Sequence, residues 1–403
     1  MELELVQKRS KAKTEKPFCH FHRPWLGAEE EREVLDTLRS GWLTTGPKTR
    51  EFERRFAEYI GCKHAIGLNS CTAGLHLSLV ALGIGSGDEV ITTPITFAAT
   101  ANVIVLQGAT PVFVDVDPET LNIDANQIES HISDKTKVIL PVHLFGHPCE
   151  MEAIVRIARR HNLAVVEDAA HAIETQYHGE KVGNIGDLAS FSFYATKNIT
   201  TGEGGMLTTN RDDLAEKIRV LSLHGISADA WHRHGEGEYL HWDVIYPGYK
   251  YNMFDIQAAL GIHQLKKIET FWQRRKRCVE IYNEAFKKVP EIQLLSEKEN
   301  IKHAHHLYAI LLKTEHLTAG RDVVLQALSD AGIGVGVHFR ALHLMSFYRQ
   351  AFGFKRGDFP NAEYASDRLI SLPLYPKMRE GDVRRVIAAL KEILHRFRKK
   401  KFS

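Results

Sequence analysis

Cysteine is scarce in this sequence, and its few copies are poorly spaced for pairing. The 403 residues include five cysteines, an odd number, and no two of them form a CxxC motif. This pattern argues against a disulfide framework, and reduced thiols in a cytoplasmic protein are expected. The five are Cys19, Cys62, Cys71, Cys149 and Cys278.

The sequence also lacks a long apolar run and a strong charge of either sign. No stretch approaches the roughly 20 apolar residues that cross a bilayer, and residues 1–4 show no signal-peptide pattern. The formal net charge is +2, and the basic residues are scattered, apart from a run at 396–401 that is typical of a solvated tail. Neither membrane spanning nor nucleic-acid binding is therefore expected.

What the sequence does contain is an alternation of β-rich and helical stretches between about residues 50 and 210. Continuous apolar runs separated by amphipathic stretches predict an α/β fold with a mostly parallel sheet covered on both faces. Ligands on such a sheet bind beyond the carboxyl ends of the strands. The clearest strand predictions are residues 89–93, 111–115, 137–142 and 163–167.

The chain length favours two domains of unequal size. We predict an N-terminal arm at residues 1–28, a large domain at 29–265 and a smaller α+β domain at 266–403. A long helix, predicted at 255–287, leads out of the large domain. The small domain has predicted strands at 307–312 and 333–339 and predicted helices at 322–331 and 381–396.

Lys197 stands out within residues 189–205 (ASFSFYATKNITTGEGG). An alternating apolar strand precedes it, and a glycine turn after it leads into a second predicted strand at 205–209. A lysine in such a turn, surrounded by neutral hydroxyls, is suited to lose its proton and form an imine. A surface lysine after a strand is the alternative on this segment alone. The neighbouring hydroxyl residues are Ser192, Thr196, Thr200 and Thr201.

Asp168 follows the predicted strand at 163–167 and precedes small residues. A carboxylate in that place can face a bound ring closely, and beside a pyridine nitrogen it would keep that nitrogen protonated. A helix N-cap is the alternative. His171 lies shortly after it and can hydrogen-bond Asp168 or a ring hydroxyl, or can serve the structure alone.

Two more segments carry groups that suit a phosphorylated, planar ligand. Residues 69–77 follow a strand-like run and open a helix, so that their amides and hydroxyls form either a phosphate site or a simple helix cap. Phe97 lies just past another predicted strand, where it would stack on a planar cofactor or pack in the core.

Together and in this order, these segments resemble the DegT/DnrJ/EryC1/StrS family of pyridoxal-phosphate sugar aminotransferases. The resemblance covers nearly the whole chain from about Phe21. It includes residues 40–47 (SGWLTTGP), 167–171 (EDAAH), 248–253 (GYKYNM) and 371–376 (SLPLYP). It implies the type I aspartate-aminotransferase fold, with a large cofactor-binding domain and a small C-terminal domain, and pyridoxal 5'-phosphate as cofactor.

The resemblance also implies roles for single residues. Lys197 would hold the cofactor as an imine and then act as general base, Asp168 would pair with the pyridine nitrogen, and Phe97 would stack on the ring. Thr72, Ala73 and Ser192 would bind the phosphate, the first two largely through backbone groups. The residues implied to bind the cofactor from this chain are Lys197, Asp168, His171, Phe97, Thr72, Ala73 and Ser192.

Residues 248–253 resemble the segment that reaches the phosphate from the neighbouring subunit. Many family members have Asn where this chain has Lys250, and Arg where it has Asn252. The resemblance therefore implies a homodimer with shared active sites, in which Lys250 or Asn252 makes the cross-subunit contact.

The activity implied is transfer of an amino group from L-glutamate to a nucleotide-linked 4-keto-6-deoxy hexose, for surface polysaccharide or glycan modification. Family dehydratases carry histidine in place of the lysine, so Lys197 favours transamination, and residues 96–102 favour C4 over C3. A C3-keto sugar or a cyclitol ketone as acceptor, and a non-catalytic regulator with the same fold, are the alternatives.

Two features stay without an assigned role. Arg340 follows the predicted strand at 333–339 and would meet a substrate carboxylate, a diphosphate or an ordinary salt-bridge partner. Residues 224–242 are rich in His and Trp, which is typical of a mobile loop near the substrate or of a surface loop. Their spacing does not favour a metal site, and no metal is expected.

Overall fold

The computed structural model describes residues 18–227 and 242–400. The strands in chain order are β1 (His64–Leu68), β2 (Glu89–Thr92), β3 (Thr110–Phe113), β4 (Thr136–Ile139), β5 (Ala164–Asp168), β6 (Gln176–Tyr177), β7 (Glu180–Lys181), β8 (Leu188–Ser192), β9 (Gly205–Thr209), β10 (Ile292–Leu294), β11 (Ile301–Lys302), β12 (Tyr308–Leu312) and β13 (Leu369–Leu372). The helices are α1 (Ala28–Ser40), α2 (Pro47–Ile60), α3 (Cys71–Ala81), α4 (Ala98–Leu106), α5 (Ala125–Ile128), α6 (Met151–Arg160), α7 (Asp212–Leu221), α8 (Asp255–Phe286), α9 (Arg321–Asp330), α10 (Ser346–Phe352), α11 (Pro360–Arg368) and α12 (Glu380–Phe397).

A seven-stranded sheet forms the centre of the large domain, in the order β1-β9-β8-β5-β4-β2-β3. Its strand pairs are parallel except for the two that β9 makes with β1 and β8. Strands β8 and β9 are buried along their whole length, as apolar strands with both faces covered must be. The predicted α/β fold with a mostly parallel sheet is confirmed.

The small domain is built on the antiparallel sheet β10-β12-β13. Helices α9 and α12 and the second half of α8 supply most of the rest of its core, and irregular segments contribute residues such as Cys19 and Ile333. Within α8, Leu265 and Phe271 pack in a large-domain core, whereas Cys278 and Phe286 pack in the small-domain core. The passage from one core to the other therefore falls inside this helix, and the division at residue 265 stays a prediction.

The strand predicted at residues 333–339 is wrong. Ile333 and Gly336 make only isolated bridges, to Cys19 and Ser371 respectively. Two glycines in this short segment remove side chains that would pack on a sheet, and glycine in a strand interior weakens pairing. The segment is instead an irregular stretch that residues 18–21 approach closely.

All five cysteines are free thiols. Within the two described ranges, no helix is long and apolar enough to span a bilayer. No three His, Cys, Asp or Glu side chains in those same ranges are grouped so as to hold a metal ion.

Candidate active site

A cavity of about 400 Å³ opens at the carboxyl ends of β5 and β8, beside the first turn of α3. Its place is the one expected for a ligand on a largely parallel sheet. The sheet topology thus brings together residues that lie far apart in the sequence. The predicted residues that line the cavity are Thr72, Phe97, Asp168, His171, Ser192 and Lys197.

Asp168 is the last residue of β5, and its backbone N–H donates to the carbonyl of Pro141 at 2.9 Å. Its carboxylate accepts two hydrogen bonds, from the Thr100 hydroxyl at 2.7 Å and from the Ala170 N–H at 3.1 Å. Burial raises the pKa of Asp168, while these two donors and the nearby Lys197 oppose the rise. No helix begins after β5, so Asp168 is not a helix cap.

Lys197 lies in the turn between β8 and β9, where its N–H donates to the carbonyl of Tyr194 at 2.8 Å. The hydroxyls of Thr200 and Thr201 donate to backbone carbonyls of the same turn, at 3.0 and 2.6 Å. They therefore hold the turn, whereas the sequence suggested that they surround the amine. Burial lowers the pKa of Lys197 to about 8, which makes its amine available as a base near neutral pH.

The first turn of α3 has the properties of an anion site. Ser70 is the N-cap residue, and its hydroxyl accepts from the Ala73 N–H at 3.1 Å. In the described part of the chain, no acceptor takes up the N–H of Thr72. A Cβ on Gly205 would lie 2.3 Å from the carbonyl carbon of Ser70, so only glycine lets β9 approach this turn so closely.

Ala73 departs from the expectation in one respect. Its side chain is buried and does not line the cavity, and its N–H is occupied by the Ser70 hydroxyl. Thr72, by contrast, lines the cavity and has its N–H unbonded within the described chain. Phosphate binding by Ala73 stays a prediction, and Thr72 fits that role better.

His171 does not hydrogen-bond Asp168. Its Nδ1 accepts the Phe145 N–H at 3.2 Å, and its ring lies 4.4 Å from the ring of His306. Burial lowers the pKa of His171 well below its usual range, and Lys197 lowers it further. The imidazole is therefore neutral with its proton on Nε2, and it presents a donor but no charge.

Phe97 is exposed, with 62% of its surface accessible, so the core-packing alternative is wrong. It stands at the N-cap position of α4, and its ring lies 5.9 Å from that of Phe339. An aromatic ring at the mouth of a cavity is available to stack on a planar ligand.

Lys250 and Asn252 lie outside the cavity of their own chain. The Lys250 ammonium donates to the Asn252 side-chain oxygen at 2.7 Å, and the Asn252 amide donates to the Thr45 hydroxyl at 2.7 Å. Lys250 is exposed. Their backbone neighbour Tyr251 accepts from the N–H of Asn69, which fixes the pair to the surface beside α3.

Sequence reasoning missed several residues of the site. Thr100 does not line the cavity but supports Asp168 through its hydroxyl. Its spacing of four residues from Thr96 was the available signal, and the two hydroxyls are 2.7 Å apart. His306, His338 and Phe339 left no such signal, since they come from segments that follow α8 in the chain. Arg340 lines a different cavity, and residues 228–241 of the His- and Trp-rich segment lie outside the described residues.

The residues present fit pyridoxal phosphate. Lys197 and Asp168 face one cavity, and the unbonded N–H of Thr72 lies at a helix N-terminus, where a phosphate is favoured. When bound, the cofactor supplies an electron sink for the carbanion formed next to the amine nitrogen. Lys197 would carry the proton to and from that carbon, and Asp168 would hold a proton on the ring nitrogen.

The comparisons with known proteins agree with this geometry. Residues 24–391 match the model of the DegT/DnrJ/EryC1/StrS aminotransferase family. The spore coat polysaccharide biosynthesis protein SpsC of Bacillus subtilis is 48% identical over 391 residues, which is 97% of this chain and 99% of that protein.

Solved structures are also similar. Spr1654 of Streptococcus pneumoniae in its pyridoxal-phosphate form is 35% identical, with a TM-score of 0.87, covering 94% of this chain and 99% of that one. PseC of Helicobacter pylori, an aminotransferase involved in the biosynthesis of pseudoaminic acid, is 32% identical with a TM-score of 0.88, covering 95% of this chain and 100% of that one. This chain therefore belongs to the DegT/DnrJ/EryC1/StrS aminotransferase family and is a pyridoxal-phosphate-dependent aminotransferase.

Proposed function

We propose that this enzyme transfers an amino group from L-glutamate to C4 of a nucleotide-linked keto-deoxy sugar, in the cytoplasm, for the synthesis of a surface polysaccharide or glycan. Lys197 is the catalytic base and the attachment point of the cofactor. Asp168, His171 and Phe97 contact the cofactor ring. Thr72, Ala73 and Ser192 bind its phosphate.

The observation that carries the proposal is the neutrality of the wall that faces Lys197 and Asp168. Phe339, His306 and His338 line this wall. Burial lowers the pKa of His338 to about 4 and that of His306 well below its usual range, so both rings are uncharged at neutral pH. A wall of neutral donors, acceptors and aromatic faces suits an uncharged, hydroxylated acceptor such as a keto sugar.

The relatives support the same substrate class. SpsC is named for polysaccharide biosynthesis, and PseC for the biosynthesis of pseudoaminic acid. A lysine at position 197 supports transamination in place of dehydration. C4 rests on the family resemblance of residues 96–102.

We also propose a homodimer whose two active sites are shared. Lys250 and Asn252 do not line the cavity of their own chain, which is compatible with a contact to the partner's phosphate. Large apolar side chains are exposed near them, with 45% of Leu43 and 40% of Phe254 accessible. Such exposure favours burial against a second copy.

A panel of acceptors tests the proposal. Enzyme loaded with cofactor would be incubated with L-glutamate and a nucleotide-linked 4-keto sugar, a nucleotide-linked 3-keto sugar or a cyclitol ketone. We expect an amine at C4 of the first, identified by mass and NMR. If only the 3-keto sugar or only the cyclitol ketone is aminated, that compound is the acceptor and the assignment to C4 is wrong. If none of the three compounds is aminated, the proposed substrate class is contradicted.

A further inference from the structure

A second cavity, of about 700 Å³, lies in the small domain, and half of the residues that line it are basic. Five basic residues face it, and two acidic ones. The basic residues are Arg321, Arg340, Arg349, Lys355 and Arg356, and the acidic ones are Asp322 and Asp367. We refer to this space as the basic cavity.

The two acidic residues are already engaged. Asp322 pairs with Arg321 at 2.5 Å, and Asp367 pairs with Arg356 at 2.9 Å.

The three remaining cations, Arg340, Arg349 and Lys355, have no carboxylate within 4.0 Å anywhere in the described ranges. Their side chains also make no hydrogen bond there. Like charges that converge on one space without counter-charges repel each other. The cavity therefore has an excess of positive charge that a bound anion would neutralise.

The three cations are held by short, well-anchored segments. Arg349 lies on α10, where the hydroxyl of Tyr348 donates to the side-chain oxygen of Asn102 at 2.6 Å. The N–H of Lys355 donates to Asp358 at 2.9 Å. The N–H of Leu342, close after Arg340, donates to the carbonyl of Pro94 at 2.8 Å. The convergence of charge is thus built into the fold.

The basic cavity lies directly beside the cavity of about 400 Å³ that contains Lys197 and Asp168, which we call the Lys197 cavity. Val337 and Arg340 line the basic cavity, while His338 and Phe339 between them line the Lys197 cavity. An extended stretch of this length spans about 10 Å at most. A ligand that reaches from Lys197 to the side of its cavity formed by His338 and Phe339 therefore comes close to Arg340.

We propose that the basic cavity binds a phosphoryl anion that carries at least two negative charges, as a diphosphate does. Arg340 and Arg349 are its main ligands, because a guanidinium offers paired N–H donors that match phosphate oxygens. The anion is either the diphosphate of the acceptor or a free phosphorylated metabolite. Only the first source rests on the proposed function, and binding of the anion itself does not.

Calorimetric titration with inorganic pyrophosphate tests this proposal. Protein loaded with cofactor is used, so that the anion site at α3 is filled and does not take up pyrophosphate. We expect saturable binding to the wild type and at least about tenfold weaker binding to the double variant R340Q/R349Q. No saturable binding to the wild type, or equal binding to the variant, would overturn the proposal.

A matched control removes two arginines elsewhere. The double variant R384Q/R396Q has the same charge change on the exposed face of α12, where both side chains are more than 60% accessible. It is expected to bind pyrophosphate as the wild type does. An equal loss of affinity in this control would overturn the assignment to the basic cavity.

Steady-state kinetics distinguish the two sources. If the acceptor's diphosphate is the ligand, R340Q/R349Q raises the KM for the acceptor about tenfold or more, and the response of the cofactor absorption to L-glutamate is unchanged. If a free metabolite is the ligand, the variant loses pyrophosphate binding with the acceptor KM unchanged. Should no keto sugar be a substrate, the titration still decides whether the anion site exists.

Discussion

The two walls of the Lys197 cavity are built in different ways. One wall comes from the large-domain sheet, with Asp168 at the end of β5 and Ser192 at the end of β8. The other comes from segments that contain no strand at the cavity, with Phe21, His338 and Phe339 as neighbours. The first wall is held by main-chain ladders, and the second by ring contacts such as the 5.3 Å stacking of Phe21 on His338.

The difference separates two parts of the function. Proton transfer and cofactor binding need atoms fixed to within a fraction of an ångström, which a buried sheet provides. Choice of acceptor needs a surface that can vary without disturbing the sheet, which loops provide. Changes in the first wall should therefore lower turnover strongly, and changes in the second should mainly alter the binding of the acceptor.

Removal of the Lys197 amine should have the largest effect. We expect Lys197→Ala to lower turnover by about 1,000-fold or more, because the proton carrier and the covalent link to the cofactor are both lost. The turnover rate is measured with a discontinuous or coupled assay of amine formation, and circular dichroism checks that the variant is folded.

Lys181 provides a matched control. Burial lowers its pKa to about 8 as well, but it lies outside the cavity, 3.7 Å from the centre of the Tyr59 ring. Lys181→Ala should keep turnover within a few fold of the wild type. A wild-type rate in Lys197→Ala would refute the assignment.

Changes at Asp168 should come next. Asp168→Asn removes the negative charge beside the expected ring nitrogen, and we expect a loss of turnover of about 100-fold. Thr100→Val deletes one donor to that carboxylate, which is worth about 1.5–3 kcal/mol, so a loss of about 10- to 150-fold is expected. Thr100→Ser keeps the hydroxyl and should restore most of the rate, whereas equal losses in Val and Ser would mean that packing, and not the hydrogen bond, matters.

The pH dependence of cofactor uptake should follow the pKa of Lys197. Since the neutral amine is the nucleophile and its pKa is lowered to about 8, the rate of uptake by the apoprotein should rise about tenfold from pH 7 to 9 and then level off. Growth of the visible absorption band measures the rate. A rate that still rises tenfold per unit up to pH 10 would indicate an ordinary lysine.

A change in the second wall should have the smallest effect on the chemistry. Phe339→Ala removes an aromatic contact worth about 1 kcal/mol, so the KM for the acceptor should rise about fivefold. The reaction of the cofactor with L-glutamate should keep its rate. If the rate of the reaction with L-glutamate also fell about fivefold, the two walls would not have separate functions.

The sequence predicted the first wall better than the second. Asp168 and Ser192 end apolar strands and Lys197 lies in the turn after one. Parallel strands end at one edge of a sheet, so the convergence of these residues follows from local patterns. His306 and His338 converge on the cavity only through the packing of the small domain on the large one, which no local pattern encodes.

Two particular misses show the same limit. Residues 333–339 alternate as a strand does, yet their partners offer single bridges only, so the ladder does not form. Thr200 and Thr201 have the composition of a polar pocket, but their hydroxyls bind the turn's own carbonyls. For residues 333–339 the bridging partners, Cys19 and Ser371, come from distant segments, whereas the two threonine hydroxyls bond within their own turn. Composition alone specifies neither set of partners.

The visible absorption spectrum tests the central claim most directly. Wild-type protein supplied with pyridoxal phosphate should show a band from cofactor bound covalently to Lys197, and L-glutamate should convert it to the amino form of the cofactor. Lys197→Ala should show no such band. Absence of the band in the wild type, or an identical band in Lys197→Ala, would contradict the role of Lys197 on which the account rests.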